Sequence, residues 1–184
     1  MKRLLCLFGL ALLGAPLLPA VPFAVDPAAL KIEVVIHSTM HTFTAKLDPA
    51  TVVLDGDPAA GTFAQADVRF AWADLKTGDT ARDKEMLTWA GAAKNPGGHF
   101  VLKTLAADSK GVLTAGGSLE LAAQTHDISF PVTVAKAATG WSVSGETKID
   151  HRDWGLPKIR KFGMLTVDPV VTVRFTFVAK PANN

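Results

Sequence analysis

Cysteine is almost missing from this chain. Its 184 residues hold one, Cys6, inside an apolar stretch at the N-terminus, so the remainder has no disulfide framework and no thiolate metal site. Charge of one sign is missing too. Lys and Arg number 19 against 17 Asp and Glu, and the excess is Lys2 and Arg3, which leaves 17 of each beyond them. A balanced chain has no basic field to attract nucleic acid or anionic lipid. Gly-x-Ser-x-Gly, a Gly-rich phosphate loop and Cys-x-x-Cys are all absent, so common hydrolase, nucleotide-binding and thiol-redox chemistries have no footing. No internal repeat or low-complexity tract appears.

What is present starts with a leader. Lys2 and Arg3 precede the apolar run Leu4–Leu13, and Pro16 to Ala24 is rich in Pro and Ala. That order is expected of a secretory signal peptide removed after Ala20 or Ala24, with a periplasmic or secreted product. Residues 4–25 are uncharged and long enough for a span of roughly 20 residues, but Pro16, Pro19 and Pro22 would break a helix there. The expected organisation is a leader over 1–24, one domain over 25–180 and a frayed tail over 181–184. About 160 residues can bury a sizeable core without a staple.

Along the domain, apolar and polar residues alternate. Ile32, Val34 and Ile36 oppose Lys31, Glu33, Val35 and His37; His41, Phe43 and Ala45 share a face. Ile128, Phe130, Val132 and Val134 oppose Ser129, Pro131 and Thr133, and Val171, Val173, Phe175 and Phe177 oppose Thr172, Arg174 and Thr176. A period of two marks strands with one apolar and one wet face. Turn signals such as Asn95-Pro96-Gly97-Gly98 separate them. Gly116-Gly117 inside Val112–Ala122 predicts a bulge or bend, and Pro131 an edge or bulge. Seven or eight antiparallel strands close as a sandwich or a barrel, and alternation leaves both open.

One stretch departs from alternation. Asp67–Trp89 begins as a strand with Val68, Phe70 and Trp72 on one side. It breaks at Thr77-Gly78-Asp79, then reads as a short helix from Arg82 to Trp89, with Thr80 as its N-cap and Asp83 three residues on. The run TGDTARDKEM resembles the signature of the YceI-like family. Asp26-Pro27 at the domain start, THDISFPV at Thr125–Val132 and IDHRDWGL at Ile149–Leu156 resemble further stretches of that family in order and spacing. The resemblance covers about Phe23 to Ala179. It departs where many members carry Asp-Pro-x-His-Ser, here Asp26-Pro27-Ala28-Ala29-Leu30, and again in Ala90–Gly98.

The resemblance implies an all-β fold: one eight-stranded antiparallel barrel, lipocalin-like, with one short helix. It also implies an apolar isoprenoid ligand, a quinone tail or polyprenyl lipid, held in a tunnel. A membrane cytochrome is implied as an exchange partner, and no cofactor, metal or nucleic acid is. Val34, Phe43, Phe70, Trp72, Leu119, Leu121, Phe130, Val132, Val143, Val173 and Phe175 point inward by alternation. They either fill the barrel as core or line the ligand. Small residues nearby, Ala115, Gly116, Gly117 and Gly145, favour space. Met86 and Trp89 on the helix would close one end. Arg82 either touches a polar head group or pairs with a carboxylate while Asp83 fixes the loop. Lys158, Arg160 and Lys161 form a solvated loop or meet a phosphate or a membrane surface. His37 and His41 do not converge on a metal by spacing. The polar groups His126, Asp127, Asp150, His151 and Asp153 would be the residues of an enzyme, but no nucleophile accompanies them. The three readings are therefore a carrier, a filled structural barrel and, last, an enzyme.

Overall fold

Alternation becomes sheet along nearly the whole described chain. The computed structural model describes residues 20–161 and 164–182; most of the expected leader, residues 1–19, and the last two residues of the expected tail lie outside them. The strands are β1 (Val21–Val25), β2 (Lys31–His37), β3 (Thr42–Leu47), β4 (Thr51–Asp57), β5 (Thr62–Ala71), β6 (Leu75–Lys76), β7 (Gly97–Ala107), β8 (Leu113–Leu121), β9 (Gln124–Ala137), β10 (Gly140–Asp150), β11 (Arg160–Lys161), β12 (Leu165–Thr166) and β13 (Val170–Pro181). The helix α1 spans Thr80–Trp89.

These strands make eight staves. β1 and β2 are one stave interrupted by a 3-10 turn at Pro27–Ala29, where the Asp26 carboxylate accepts from Ala28 N–H. β3 and β4 form the second, broken at Asp48-Pro49, and β5 and β6 the third, broken by a 3-10 turn at Trp72–Asp74. β7, β8, β9, β10 and β13 supply the rest. Each stave pairs antiparallel with the next, and β13 returns to the first: Val25 faces Ala179 on β1, and Val34 faces Val173 on β2. The sheet is thus a closed up-and-down barrel without a free edge around its ring. The choice that alternation left open, sandwich or barrel, falls to the barrel.

The structure shifts several local expectations. Residues 21–24 read in sequence as the end of a leader because of Pro22 and its small neighbours, with Val25 opening the domain. In the structure Val21–Val25 is a strand, with Phe23 only 5% exposed and paired with Leu54 and Pro181. β13 likewise runs one residue into the expected tail. Trp72 lies in the 3-10 turn, not in the strand. The N-cap of α1 is Asp79, not Thr80: its carboxylate accepts from Ala81 and Arg82 N–H at 2.9 and 3.1 Å. Asp83 takes the Thr77 N–H and hydroxyl at 2.9 and 2.6 Å, tying the preceding loop to the helix. The bulge expected at Gly116-Gly117 falls on the facing strand, where the register shifts between Leu102 and Thr104. Pro131 sits where β9 leaves β10: the last pair between them is Val132 with Gly145. Beyond it the missing proline N–H costs no ladder bond.

At the end carrying Val21 and Pro181, Phe23, Leu54, Phe63, Val143, Phe177 and Ala179 form a buried cluster, with Phe23 and Phe63 edge to face at 5.2 Å. At the other end Leu47, Trp72, Leu75, Ala90, Leu121, Ile149, Trp154 and Leu156 are buried together, beneath Met86 and Trp89 of α1. Among the described residues no helix is long and apolar enough to cross a membrane.

Candidate functional site

The inward faces of the staves do not meet. Between the two end clusters lies a cavity of about 800 Å³. An eight-stranded barrel is just wide enough to be filled by side chains or to hold one small ligand, and this one is not filled. Part of the reason is where the large rings lie. Gly98 faces Phe70 across the β5–β7 pair, and Gly145 faces Phe175 across the β10–β13 pair. A Cβ on Gly98 would sit 2.5 Å from the Phe70 ring, and one on Gly145 would sit 2.6 Å from Phe175 Cζ. Each ring therefore lies flat on bare neighbouring backbone instead of projecting across the lumen. Gly145 and Gly117 face inward, as does Ala115. Gly116 faces the other way, toward the Thr104 hydroxyl.

Every residue that the sequence points inward borders this cavity. Val34 (β2), Phe43 (β3), Phe70 (β5), Leu119 and Leu121 (β8), Phe130 and Val132 (β9), Val143 (β10), and Val173 and Phe175 (β13) face it from strands. Trp72 reaches it from its 3-10 turn, and Met86, Trp89 and Arg82 from α1. Residues outside that inward set border it too: Ile32, Ile36, Val68, Phe100, Leu102, Ile128, Val171 and His151. Alternation alone signals Ile32, Ile36, Ile128 and Val171. Phe100 and Leu102 are obscured because the bulge beside them breaks the period. His151 carries no apolar signal at all.

One rim of the cavity is polar. Ser38 and His41 of the β2–β3 turn, Thr77, Asp79, Arg82 and Glu85 around the start of α1, and Lys158 and Arg160 all border it. The turn is held to the β11–β12 hairpin by Thr39 N–H to Thr166 O at 3.0 Å and the Thr39 hydroxyl to Met164 O at 3.1 Å. Met40 and Met164 stand exposed beside that contact. The Arg82 guanidinium lies 4.2 Å over the Phe43 ring and 3.6 Å from the Asp79 carboxylate. Both meanings given to Arg82 thus coincide in place: it has a carboxylate partner, and it stands at the rim. Backbone N–H groups of Arg82 and Ala81 hold the Asp79 carboxyl below its ordinary pKa. Lys158 and Arg160 are exposed, as in a solvated loop, and they border this rim.

The remainder of that end is closed by aromatic rings. Trp89 packs edge-on against Trp72 with centroids 6.4 Å apart and against His151 at 4.9 Å, and its indole N–H donates to Pro157 O at 2.7 Å. His151 is 5% exposed. Burial pushes its pKa below the ordinary histidine value, which favours the neutral ring. Its Nδ1 lies 3.2 Å from Leu156 O.

Three of the polar groups considered for catalysis are engaged by other side chains. His126 packs edge to face against Trp154 with centroids 5.1 Å apart. Asp127 is exposed and pairs with Lys103 at 2.6 Å. Asp150 is engaged by Arg152, whose guanidinium holds the carboxyl down to about 2. Of the His/Asp cluster only His151 reaches the cavity. His37 bonds the Thr42 hydroxyl, while His41 leans on Phe43 at 5.7 Å. Among the described residues no three His, Cys, Asp or Glu side chains are placed to hold a metal ion.

Three solved structures share this barrel. BcnA from Burkholderia cenocepacia superposes with a TM-score of 0.74 at 20% identity, over 85% of this chain and 100% of that one. A polyisoprenoid binding domain from Saccharophagus degradans, implicated in plant cell wall breakdown, superposes with a TM-score of 0.67 at 15% identity, over 89% and 100%. The YCEI protein of Campylobacter jejuni gives a TM-score of 0.58 at 20% identity, over 76% and 85%. At these identities the likeness is one of fold. No curated protein matches the chain in sequence. The model of the YceI-like domain, however, matches residues 23–179, the same span over which the TGDTARDKEM, THDISFPV and IDHRDWGL stretches fall, and this chain belongs to the YceI-like domain family.

Proposed function

We propose that this protein is a non-catalytic carrier of a long apolar chain of the isoprenoid class, a polyprenyl lipid or quinone tail, working outside the cytoplasm after loss of its leader. The observation that carries the reading is the cavity of about 800 Å³ walled by the apolar faces of all eight staves. Each CH₂-sized unit moved from water into such a space contributes about 0.8 kcal/mol before ordering costs. The polar rim suits a head group or a donor surface, and three of the residues considered for an enzyme, His126, Asp127 and Asp150, are engaged by other side chains. A polyisoprenoid binding domain among the structures of the same fold supports the ligand class. A membrane cytochrome as exchange partner follows from the family resemblance alone.

The test is direct. Protein purified without detergent is extracted with organic solvent, and the extract is analysed by mass spectrometry. Delipidated protein is then melted with and without added polyprenol. At 100 times Kd a ligand specific for the folded barrel stabilises it by about 2.7 kcal/mol. Repeated recovery of empty protein together with no shift in Tm at saturation would overturn the proposal.

A further inference from the structure

Among the described residues, two buried side-chain atoms have no hydrogen-bond partner in the protein: Trp72 Nε1 and His151 Nε2. Both residues border the cavity. Both are more than nine-tenths buried, at 7% and 5% exposure. Both rings pack against the same third ring, Trp89. The other three tryptophans behave differently: Trp154 Nε1 donates to Leu119 O and Trp141 Nε1 to Pro58 O, each at 3.0 Å, and Trp89 Nε1 donates to Pro157 O at 2.7 Å. Leaving a buried polar atom unpaired is costly, and native proteins rarely do so without a reason. Both rings border one apolar space, and although neither atom has surface open to it as the rings stand, a partner that enters the space reaches them once the rings turn.

The two atoms ask for opposite partners. An indole N–H only donates. The Leu156 carbonyl only accepts, so the ring proton of neutral His151 lies on Nδ1 and Nε2 offers a lone pair. The complement is an acceptor for Trp72 and a donor for His151. A hydroxyl supplies both. A quinone carbonyl or an ether oxygen supplies only the first and leaves His151 unpaired.

We infer that Trp72 and His151 form a polar anchor inside the closed end of the cavity, and that it selects an apolar chain bearing a hydroxyl, either an alcohol or a hydroquinone, over the same chain ending in an ether or a quinone. This rests on the carrier reading and adds to it which end of the ligand lies within the barrel and what chemistry it carries. The rim cations are then left for passage or docking, not for head-group selection.

The probes are matched pairs on the full mature chain: geranylgeraniol against its methyl ether, and a decyl-substituted benzohydroquinone against its quinone. Binding is read by tryptophan quenching and by Tm shift. The alcohol and the hydroquinone should bind roughly tenfold or more tightly than their partners, the cost of an unpaired buried acceptor. His151→Leu should remove that discrimination, because ether and alcohol then meet the same wall. Trp72→Phe should weaken alcohol and ether equally, since both accept from the indole. A preference for the alcohol alone identifies a single hydroxyl as the anchor's partner; a preference for the hydroquinone alone identifies a phenolic pair. Equal binding of all four probes to the unmodified protein would overturn the anchor while leaving the carrier reading standing. Binding of none would overturn both. The comparison on the unmodified protein decides the matter even where a variant fails to fold.

Discussion

A single missing side chain does much of the work of keeping this barrel open. At Gly145 the Phe175 ring occupies the place of a Cβ, lying against the β10 backbone. Gly145→Ala would push that ring off the wall and into the lumen. Because the first atom met is the free end of a side chain, the ring can move, and the stability cost should be about 1–3 kcal/mol, the usual range for mild overpacking. Ligand affinity should fall more than stability does. A thermal melt without ligand, set beside a polyprenol titration, separates the two. Unchanged affinity in a variant of nearly normal Tm would show that Phe175 does not border the occupied space. The same residue shows how far alternation reaches: it places Phe175 and Gly145 on inner faces, but only their register across β10 and β13 reveals that one fills the gap left by the other.

At the level of elements, α1 is the segment expected to open, because it brings Arg82, Met86 and Trp89 to the cavity while none of its residues is buried. Its ties include the Asp79 cap, the Asp83 bonds to Thr77, the Trp89 bond to Pro157 and the ring contacts of Trp89 with Trp72 and His151. Helical stability of this kind comes from packing and capping rather than from length, since ten residues are too few to stand alone. Asp79→Ala should remove about 1 kcal/mol from the helix with little change in the barrel's own melt. The expected result is faster amide exchange across residues 80–89 and faster release of a bound chain, measured by chase with excess unlabelled ligand. Release at the unmodified rate despite faster exchange would mean that the chain leaves by another route. The sequence shows a capped helix here but misplaces the cap by one residue. Asp79, Thr80 and Asp83 are all competent cappers, and only the extended backbone at Asp79 decides among them.

For the whole molecule, closure depends on β1. Its five residues seal the seam between β4 and β13, and without them two strand edges would lie open to other chains. Processing after Ala20 keeps the strand intact; processing after Ala24 removes all but Val25. The mature protein recovered from an export-competent host should therefore begin at Val21, as read by intact mass. A chain shortened to begin at Val25 should lose at least the roughly 3–5 kcal/mol that deleting a buried Phe costs, because Phe23 goes with it. Recovery of a stable mature protein beginning at Val25 would show that the barrel closes without β1.

Much was decided by the order of residues alone. Period-two patterning with one apolar face per strand specifies a sheet that must cover one side, and the four family-like stretches narrow that sheet to a barrel. The inward set follows from the same period, which is why the faces of Val34, Phe130 and Val173 are legible in the sequence. Three things required the tertiary structure, each for the reason that it depends on residues far apart in the chain. Pro22 and Phe23 count as strand only because β4 and β13 flank them. The interior is hollow rather than filled because glycines on one stave accept rings from the next, a matter of register that no local pattern records. His151 is part of the cavity because the backbone turns at the end of β10 and buries a polar ring among apolar ones. Local sequence encodes which face a side chain takes; what it meets there is set by the partner strand.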